Sequence, residues 1–339
     1  MNASTFQDQT GAKWYHTADQ SPEDTEIYLS RIDFLRPAER VLSVRSAGAG
    51  NMNVTLRVIT NQREFVLKQS RPWVAAFPQL AAPVERIFTE ARYLEVTAAN
   101  KQLAARSPRV LGRDDANYVL LTEFIELAED AGVWYDSRRA VDEDQLRQLL
   151  HYLSALHGLR APEFPANRKL RELNHAHVFD LPFRPDNGFP LDDIEPGLAA
   201  VAAPFQNDEA LRAEASRLGE KYLADGGRCL LHGDFYPGSF LLHGENVTVI
   251  DGEFAFVGPP EYDLGVLMAH LILARSPAGI MRAIDREYQK PAGFSAGLAR
   301  AFCYVEIIRR LIGIAQLPVD LTLAERGALL EQARAGLAL

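Results

Sequence analysis

The chain has 339 residues, of which 47% are hydrophobic and 24% charged, so it has a globular composition and is long enough for two domains. Its formal net charge of −9 argues against a general nucleic-acid binder, because such proteins need a basic surface. Its two cysteines stand in apolar surroundings, and the sequence has neither a signal-peptide core nor a run of about 18 apolar residues. We therefore expect free thiols, no membrane span and a cytoplasmic location.

Residues 1–124 are predicted to form a sheet-rich lobe. The polar and aperiodic residues 1–24 suggest a loosely held arm. Alternating apolar residues then predict three strands, which begin near Val41, Val54 and Glu64. A helix is predicted over residues 83–98 from its 3.6-residue apolar period, and a second hairpin follows it.

Residues 125–339 are predicted to form a mainly helical lobe. Leucines between Leu146 and Leu156 make one helical stripe, and Asp142 suits the N-terminus of that helix. Further helices are predicted near residues 208–224, 261–275, 280–288, 294–317 and 321–337. The predicted fold class is therefore α+β, with the two lobes of a protein-kinase-like fold: an antiparallel sheet plus a helix, then a larger helical lobe.

The turn after the first strand contains Gly48, Gly50, Asn51 and Asn53. Glycine lets backbone amides close over phosphate oxygens, although a glycine-rich hairpin turn needs no ligand. Lys68 ends the third strand, where a kinase-like fold places the lysine that pairs with nucleotide phosphates and with a glutamate of the next helix. We expect this turn and Lys68 to bind the nucleotide.

The glutamate that pairs with Lys68 is predicted on the helix over residues 83–98. Glu90 is the first candidate, and Glu85 is the alternative. The segment after the next apolar strand corresponds to the hinge whose backbone hydrogen-bonds adenine in a kinase-like fold. Glu123 and Ile125 are assigned to that contact by position.

Three carboxylates flank a short predicted hairpin. Asp234 precedes its first strand, whereas Asp251 and Glu253 follow its second, so all three are expected at one end. Crowded carboxylates repel unless a cation offsets them, and Mg²⁺ is usually held by one or two carboxylates plus substrate phosphates. In a kinase-like fold Asp234 would orient the acceptor hydroxyl and Asp251 would bind the metal. Asp263 is better explained as a helix cap or a buried anchor.

These motifs resemble the aminoglycoside phosphotransferase and choline kinase superfamily, and within it the methylthioribose kinases, over roughly residues 41–318. His-Gly-Asp at 232–234 is similar to the superfamily's catalytic loop. Gly-Ser at 238–239, Asp-x-Glu at 251–253 and Gly-x-Gly-Asn-x-Asn at 48–53 are similar to the methylthioribose kinases.

The resemblance implies roles for further residues. Arg309 and Arg310 match an arginine pair that reaches the sugar and the transferring phosphate. Ser239 stands where protein kinases have a metal-binding asparagine and is assigned to the nucleotide site, while Asp251 and Glu253 are the implied metal ligands. One departure is Gly252, which stands where proline is common in the family.

The sequence therefore predicts an ATP- and Mg²⁺-dependent kinase that phosphorylates a hydroxyl of a small molecule, methylthioribose or a related sugar. A phosphotransferase for an aminoglycoside or an amino-alcohol such as choline is the first alternative. A nucleotide-binding regulator without catalysis is the second. A small-molecule partner, no nucleic acid, no membrane, and a monomer or homodimer are expected.

Overall fold

The computed structural model describes residues 2–48, 52–75, 77–161 and 163–338, so Gly50 and Asn51 of the predicted nucleotide loop lie outside the described residues. The chain divides into two compact units. The first comprises Met1–Leu127 together with Asp251–Phe254, and the second comprises Ala128–Ile250 together with Ala255–Leu339. The segment after the predicted hairpin therefore belongs to the first unit, and the boundary after residue 124 stays a prediction.

The first unit contains four α-helices and seven strands within its described residues. In chain order they are α1 (Ala3–Thr10), α2 (Pro22–Arg31), β1 (Val41–Ser46), β2 (Val54–Thr60), β3 (Glu64–Gln69), β4 (Trp73–Val74), β5 (Phe77–Ala81), α3 (Arg86–Ala98), α4 (Lys101–Ala104), β6 (Val110–Asp114) and β7 (Val119–Glu123). The predicted strands and the predicted helix over 83–98 are confirmed, although α3 begins three residues later, at Arg86.

Five strands of the first unit form an antiparallel sheet in the order β1-β2-β3-β7-β6. Leu56, Phe65 and Leu67 point to one face and are fully buried, as the period-2 alternation requires. Lys68 lies in the central strand β3, opposite Thr55 of β2 and Leu120 of β7. Hydrogen bonding on both sides fixes the backbone from which its side chain projects.

The expectation of a loosely held arm over residues 1–24 is wrong. Asn2 and Ser21 cap α1 and α2 with their side chains, and Phe6 is fully buried against Trp73. The backbone N–H of His16 also donates to Gln69 Oε1 at 2.9 Å. Single buried side chains and caps hold this segment, and neither produces the long apolar period by which helices are recognised in a sequence.

The second unit is mainly helical in the described part of the chain. Its strands are β8 (Glu129–Asp130), β9 (Cys229–Leu231), β10 (Phe240–His243), β11 (Asn246–Val249) and β12 (Phe256–Gly258); its helices are α5 (Glu143–His157), α6 (Arg168–His175), α7 (Leu191–Ile194), α8 (Leu198–Gln206), α9 (Glu209–Leu223), α10 (Glu261–Leu273), α11 (Ala278–Glu287), α12 (Ala296–Ile312) and α13 (Leu323–Leu337). The Asp142 side chain caps α5 as predicted.

The core of the second unit forms around α10 and α12. Both helices are apolar over most of their surface, and their buried residues join those of α9 and α13 in one cluster. The β10–β11 hairpin pairs on its other side with β8. Cys229 and Cys303 are buried and free, so the expectation of unbridged thiols is confirmed. No helix within the described ranges is both long and apolar enough to cross a membrane.

Candidate active site

A buried cluster of charges surrounds Lys68 in the first unit. The Lys68 ammonium lies 2.9 Å from the carboxylate of Glu90 on α3 and also donates a hydrogen bond to Asp251 Oδ1. Glu90 follows Lys68 by 22 residues, and the α3 register brings it, rather than Glu85, to the lysine. Lys68 and Glu90 are both buried, whereas the Asp251 side chain is 43% exposed. Asp251 thus presents a carboxylate to solvent beside a fixed positive charge.

The electrostatics of this cluster favour a charged lysine. Burial alone would lower the pKa of Lys68, but the carboxylates of Asp251, Glu90 and Glu253 outweigh it and raise the pKa above its usual value. Burial raises the pKa of Glu90 to about 7, while the ammonium of Lys68 opposes that change. A permanent cation held by carboxylates suits contact with the anionic oxygens of a phosphate.

Glu253 is engaged by protein groups. Its Oε2 accepts a hydrogen bond from Asn53 Nδ2 at 2.8 Å and lies 3.1 Å from Nε of Arg86, the first residue of α3. The terminal nitrogens of Arg86 donate to the carbonyl oxygens of Met52 and Arg71. Arg86 therefore joins the end of the glycine-rich turn, the segment after β3 and the Asp251–Phe254 segment.

The Asp251–Phe254 segment has an unusual backbone conformation at Asp251 and packs closely against Tyr93 at Gly252. Asp251 has a φ of 63°, in the left-handed region that few non-glycine residues adopt. A Cβ at Gly252 would stand 2.3 Å from the buried ring of Tyr93. The side chain of any other residue, including the family's common proline, would collide with that ring.

The predicted metal ligands differ in their availability. No group of three or more histidine, cysteine or acidic side chains within the described ranges is arranged to hold a metal ion. The half-exposed carboxylate of Asp251 suits Mg²⁺, which needs only one or two carboxylates when phosphates supply further oxygens. Glu253 is buried, and its Oε2 is held by Asn53 and Arg86, so it is less accessible to an ion than Asp251.

The other residues that are predicted to bind the nucleotide lie in different environments. Gly48 is exposed with a φ of 109°. Both the backbone N–H and the carboxylate of Glu123 are engaged by Arg109, and Ile125 lies in the irregular segment after β7. In the second unit, the Ser239 hydroxyl donates to the carbonyl oxygen of Asp234 at 2.8 Å. Ser239 thus braces the loop that bears Asp234, and these nucleotide roles stay predictions.

The loop that bears Asp234 is anchored by a buried carboxylate. Asp263 in the first turn of α10 accepts the backbone N–H of His232 at 2.7 Å and that of Gly233 at 2.9 Å. The φ of Gly233 is 84°, which a glycine adopts without strain. His157 Nε2 lies 3.3 Å from Asp263 Oδ2. Asp263 therefore acts as the buried anchor, while Pro260 occupies the N-cap of α10.

Asp234 faces the arginine pair of α12. Its Oδ1 lies 3.9 Å from a terminal nitrogen of Arg309 and 3.8 Å from one of Arg310, beyond hydrogen-bond reach. Burial raises the pKa of Asp234, whereas Arg310 and Arg309 act to lower it. The site thus holds a carboxylate of increased basicity next to two guanidinium groups, which suits orienting a hydroxyl and neutralising a phosphoryl group.

The sequence analysis missed three residues beside the predicted site: Arg86, His270 and Glu306. Arg86 gave no signal, because its partner Glu253 lies far away in the chain. Glu306 did give one, since it precedes Arg309 and Arg310 by three and four residues, the spacing of neighbours on a helix.

The model of the phosphotransferase enzyme family APH matches residues 43–301, which is more than half of the chain. Methylthioribose kinase of Exiguobacterium sibiricum is 26% identical over 328 residues, covering 81% of this chain and 80% of that protein. Methylthioribose kinase 2 of Oryza sativa subsp. japonica is 27% identical over 249 residues, covering 69% of this chain. The chain spans only 57% of that plant relative's length.

Solved structures of low sequence identity share the fold. Choline kinase LicA from Streptococcus pneumoniae has a TM-score of 0.53 at 17% identity and covers 93% of this chain and 99% of that one. A spectinomycin phosphotransferase in complex with ADP and spectinomycin has a TM-score of 0.54 at 14% identity and covers 94% and 98%. The predicted protein-kinase-like fold is confirmed, and this chain belongs to the phosphotransferase enzyme family.

Proposed function

We propose that the chain transfers the γ-phosphoryl group of ATP to a hydroxyl of a small molecule, with methylthioribose or a related sugar as the acceptor. The observation that carries the proposal is the buried Lys68, which Glu90 holds beside the half-exposed carboxylate of Asp251. A lysine fixed by a glutamate next to a half-exposed carboxylate is the arrangement that kinase-like phosphoryl transfer requires.

The residues divide the work of transfer. Lys68 binds phosphate oxygens. Asp251 would hold Mg²⁺, with Glu253 as a second, less accessible ligand, and the ion would neutralise phosphate charge when bound. Asp234 orients the acceptor hydroxyl and accepts its proton as the bond to phosphorus forms. Arg309 and Arg310 offset the negative charge of the transferring group. Positioning and charge neutralisation account for catalysis, so no covalent intermediate on the protein is needed.

The choice of a sugar over a cationic acceptor follows from the charges around Asp234. Choline and aminoglycosides are cations and need carboxylates or aromatic faces that are free to receive them. Two arginines stand near Asp234, and the guanidinium of Arg310 already covers the ring of Tyr236 at 4.7 Å. A second carboxylate in this region, that of Glu306, accepts hydrogen bonds from both arginines and is therefore not available to a cationic acceptor. The similarity to methylthioribose kinases points the same way.

The cytoplasmic location and the monomer or homodimer state belong to the same proposal. The unbridged Cys229 and Cys303 agree with a reducing compartment.

An acceptor panel tests the proposal. Release of ADP is measured with ATP, Mg²⁺ and one of methylthioribose, other pentoses, choline or aminoglycosides, and we expect the fastest release with methylthioribose. Asp234→Asn should reduce that rate by at least about 10²-fold. Asp285→Asn is the matched control, because that side chain is 80% exposed. Faster turnover of choline or an aminoglycoside would replace the sugar assignment, and ATP binding without ADP release on the whole panel would favour the non-catalytic regulator.

A further inference from the structure

One buried carboxylate, that of Glu306, binds both arginines that face Asp234. Its Oε2 accepts a hydrogen bond from Nε of Arg309 at 2.7 Å, and its Oε1 accepts one from Nε of Arg310 at 2.8 Å. All four residues belong to the second unit, and Glu306 is 1% exposed. The helix geometry of α12 makes this fork possible, because side chains three and four residues apart lie on one face.

The Glu306 carboxylate stays ionised in this position. Burial would raise its pKa, but Arg309 and Arg310 outweigh burial, and together with His270 they lower the pKa well below its usual value. An ionised acceptor with two charge-assisted hydrogen bonds is a rigid anchor for both guanidinium groups.

A second pair of buried side chains holds Glu306 from the other side. His270 Nε2 lies 3.0 Å from Glu306 Oε1, and its Nδ1 lies 2.5 Å from the hydroxyl of Tyr135. Burial lowers the pKa of His270 to about 4, so the ring is neutral near pH 7. A carboxylate only accepts hydrogen bonds, so the proton of the neutral ring is on Nε2, and the Tyr135 hydroxyl donates to Nδ1. His270 and Tyr135 thereby support the anchor without adding a third positive charge.

This anchoring leaves one terminal nitrogen of each arginine directed to Asp234. Because Glu306 uses the two Nε atoms, it is the terminal nitrogens that approach Asp234 Oδ1, at 3.9 and 3.8 Å. The Tyr236 ring beneath Arg310 Cζ, at 4.7 Å, restricts that guanidinium further. The two arginines balance Asp234 and Glu306 in charge. The hydrogen bonds from both Nε atoms to Glu306 hold the guanidinium groups in place before any substrate arrives.

We propose that Glu306, supported by His270 and Tyr135, is a positioning residue that holds Arg309 and Arg310 in the orientation that binds the transferring phosphoryl group. This inference rests on the proposed function. Glu306 acts only through the arginines, so its contribution to turnover should vanish when the arginines are absent.

The first arm of the test is a double-mutant cycle on phosphoryl transfer. Glu306→Gln should lower kcat by about 10²-fold, the cost of misplacing a preorganised donor, and leave KM for ATP within about twofold. In an Arg309→Ala/Arg310→Ala background, the same substitution should have no further effect. The control is Glu331→Gln, which breaks an exposed glutamate–arginine pair of the same helical spacing and should leave kcat unchanged. Equal losses in both backgrounds would overturn the inference, because they would indicate a structural role alone.

Tyr135→Phe gives the same cycle with a milder change, so the test does not depend on the folding of Glu306→Gln. Loss of its hydroxyl should lower kcat by about five- to tenfold in the native background and not at all without the arginines.

The second arm needs no substrate. Nitrogen-15 spectra should show two protected Nε–H signals from Arg309 and Arg310. Glu306→Gln replaces one of the two acceptor oxygens by an NH₂ donor and should remove at least one of these signals, whereas Glu331→Gln should preserve both. Persistence of both protected signals in Glu306→Gln would overturn the inference. If the wild-type protein phosphorylated no acceptor, the proposed function would fail, and the spectra would still decide whether Glu306 holds the arginines.

Discussion

Arg86→Met should destabilise the first unit more than a typical substitution does. The change removes hydrogen bonds from a charged group to the carbonyl oxygens of Met52 and Arg71, worth about 1.5–3 kcal/mol each when intact. It also removes the guanidinium that lies 3.1 Å from the buried carboxylate of Glu253, and breaking a buried ion pair in this way costs about 3–5 kcal/mol. The methionine recovers part of the packing, so we expect a net loss of about 3–5 kcal/mol. That is a large fraction of the roughly 5–15 kcal/mol that stabilises a domain.

Hydrogen exchange followed by mass spectrometry is the suitable assay, because it reports the stability of each unit separately. Amides of β2 and β3 should exchange about 10²- to 4 × 10³-fold faster in Arg86→Met than in the wild type, since about 1.4 kcal/mol corresponds to a tenfold change in an equilibrium constant. Arg92→Met, on the same helix, removes only an exposed pair with Glu95 and should cost at most about 0.5 kcal/mol.

Adding Glu253→Gln to Arg86→Met should recover part of the lost stability, because the neutral amide removes a buried negative charge that Arg86 no longer offsets and still accepts the hydrogen bond from Asn53. Two results would refute the reasoning: a loss for Arg86→Met no larger than for Arg92→Met, or a double variant less stable than Arg86→Met alone. Either result would mean that Arg86 is not needed to offset the negative charge of Glu253.

Lys68→Met should lower kcat/KM for ATP by about 10²–10³-fold, since it removes a preorganised cation from the phosphates, and turnover within threefold of wild type would contradict its role. Asp263→Asn replaces one of the two carboxylate oxygens that accept backbone N–H groups by an NH₂ donor. Thermal unfolding should therefore show a loss of stability of about 1–3 kcal/mol, and kcat should fall as the loop that bears Asp234 shifts. Burial lowers the pKa of His16 and of His270 from 6.5 to about 4. Because the unfolded chain binds protons that the folded chain excludes, stability should fall as pH drops from about 6.5 to 4, by up to about 3 kcal/mol for each histidine. Urea midpoints at pH 7 and pH 4.5 measure this, and a glutamine at either position should flatten the dependence; an unchanged slope would contradict it.

Helices and strands were predictable where apolar residues recur at a regular spacing along the whole element. The alternation in β2 and β3 and the leucine stripe of α5 each indicate one buried face, and packing in the structure confirms them. The N-terminal helices were not predictable in this way. They are short and depend on side-chain caps and on a few deeply buried residues with distant partners, such as Phe6, which packs against Trp73, and Tyr28, which donates a hydrogen bond to Asp114.

The candidate site was predictable where a motif fixes local spacing. The helical register after β3 sufficed to select Glu90 as a partner of Lys68. The engagement of Glu253 by Arg86 could not be inferred, because it depends on a tertiary contact between segments 167 residues apart in sequence. Glu306 lay within reach of sequence reasoning, since its distance from the arginine pair is a helical spacing.

The central claim is that this chain moves a phosphoryl group from ATP to a hydroxyl of a sugar, with Asp234 at the acceptor. The most direct measurement follows γ-labelled ATP with methylthioribose and Mg²⁺ and quantifies labelled sugar, ADP and free phosphate. The account predicts one labelled sugar for each ADP, at a rate that Asp234→Asn lowers by at least about 10²-fold. It would be contradicted by ADP matched only by free phosphate, or by labelled sugar formed equally fast without the Asp234 carboxylate.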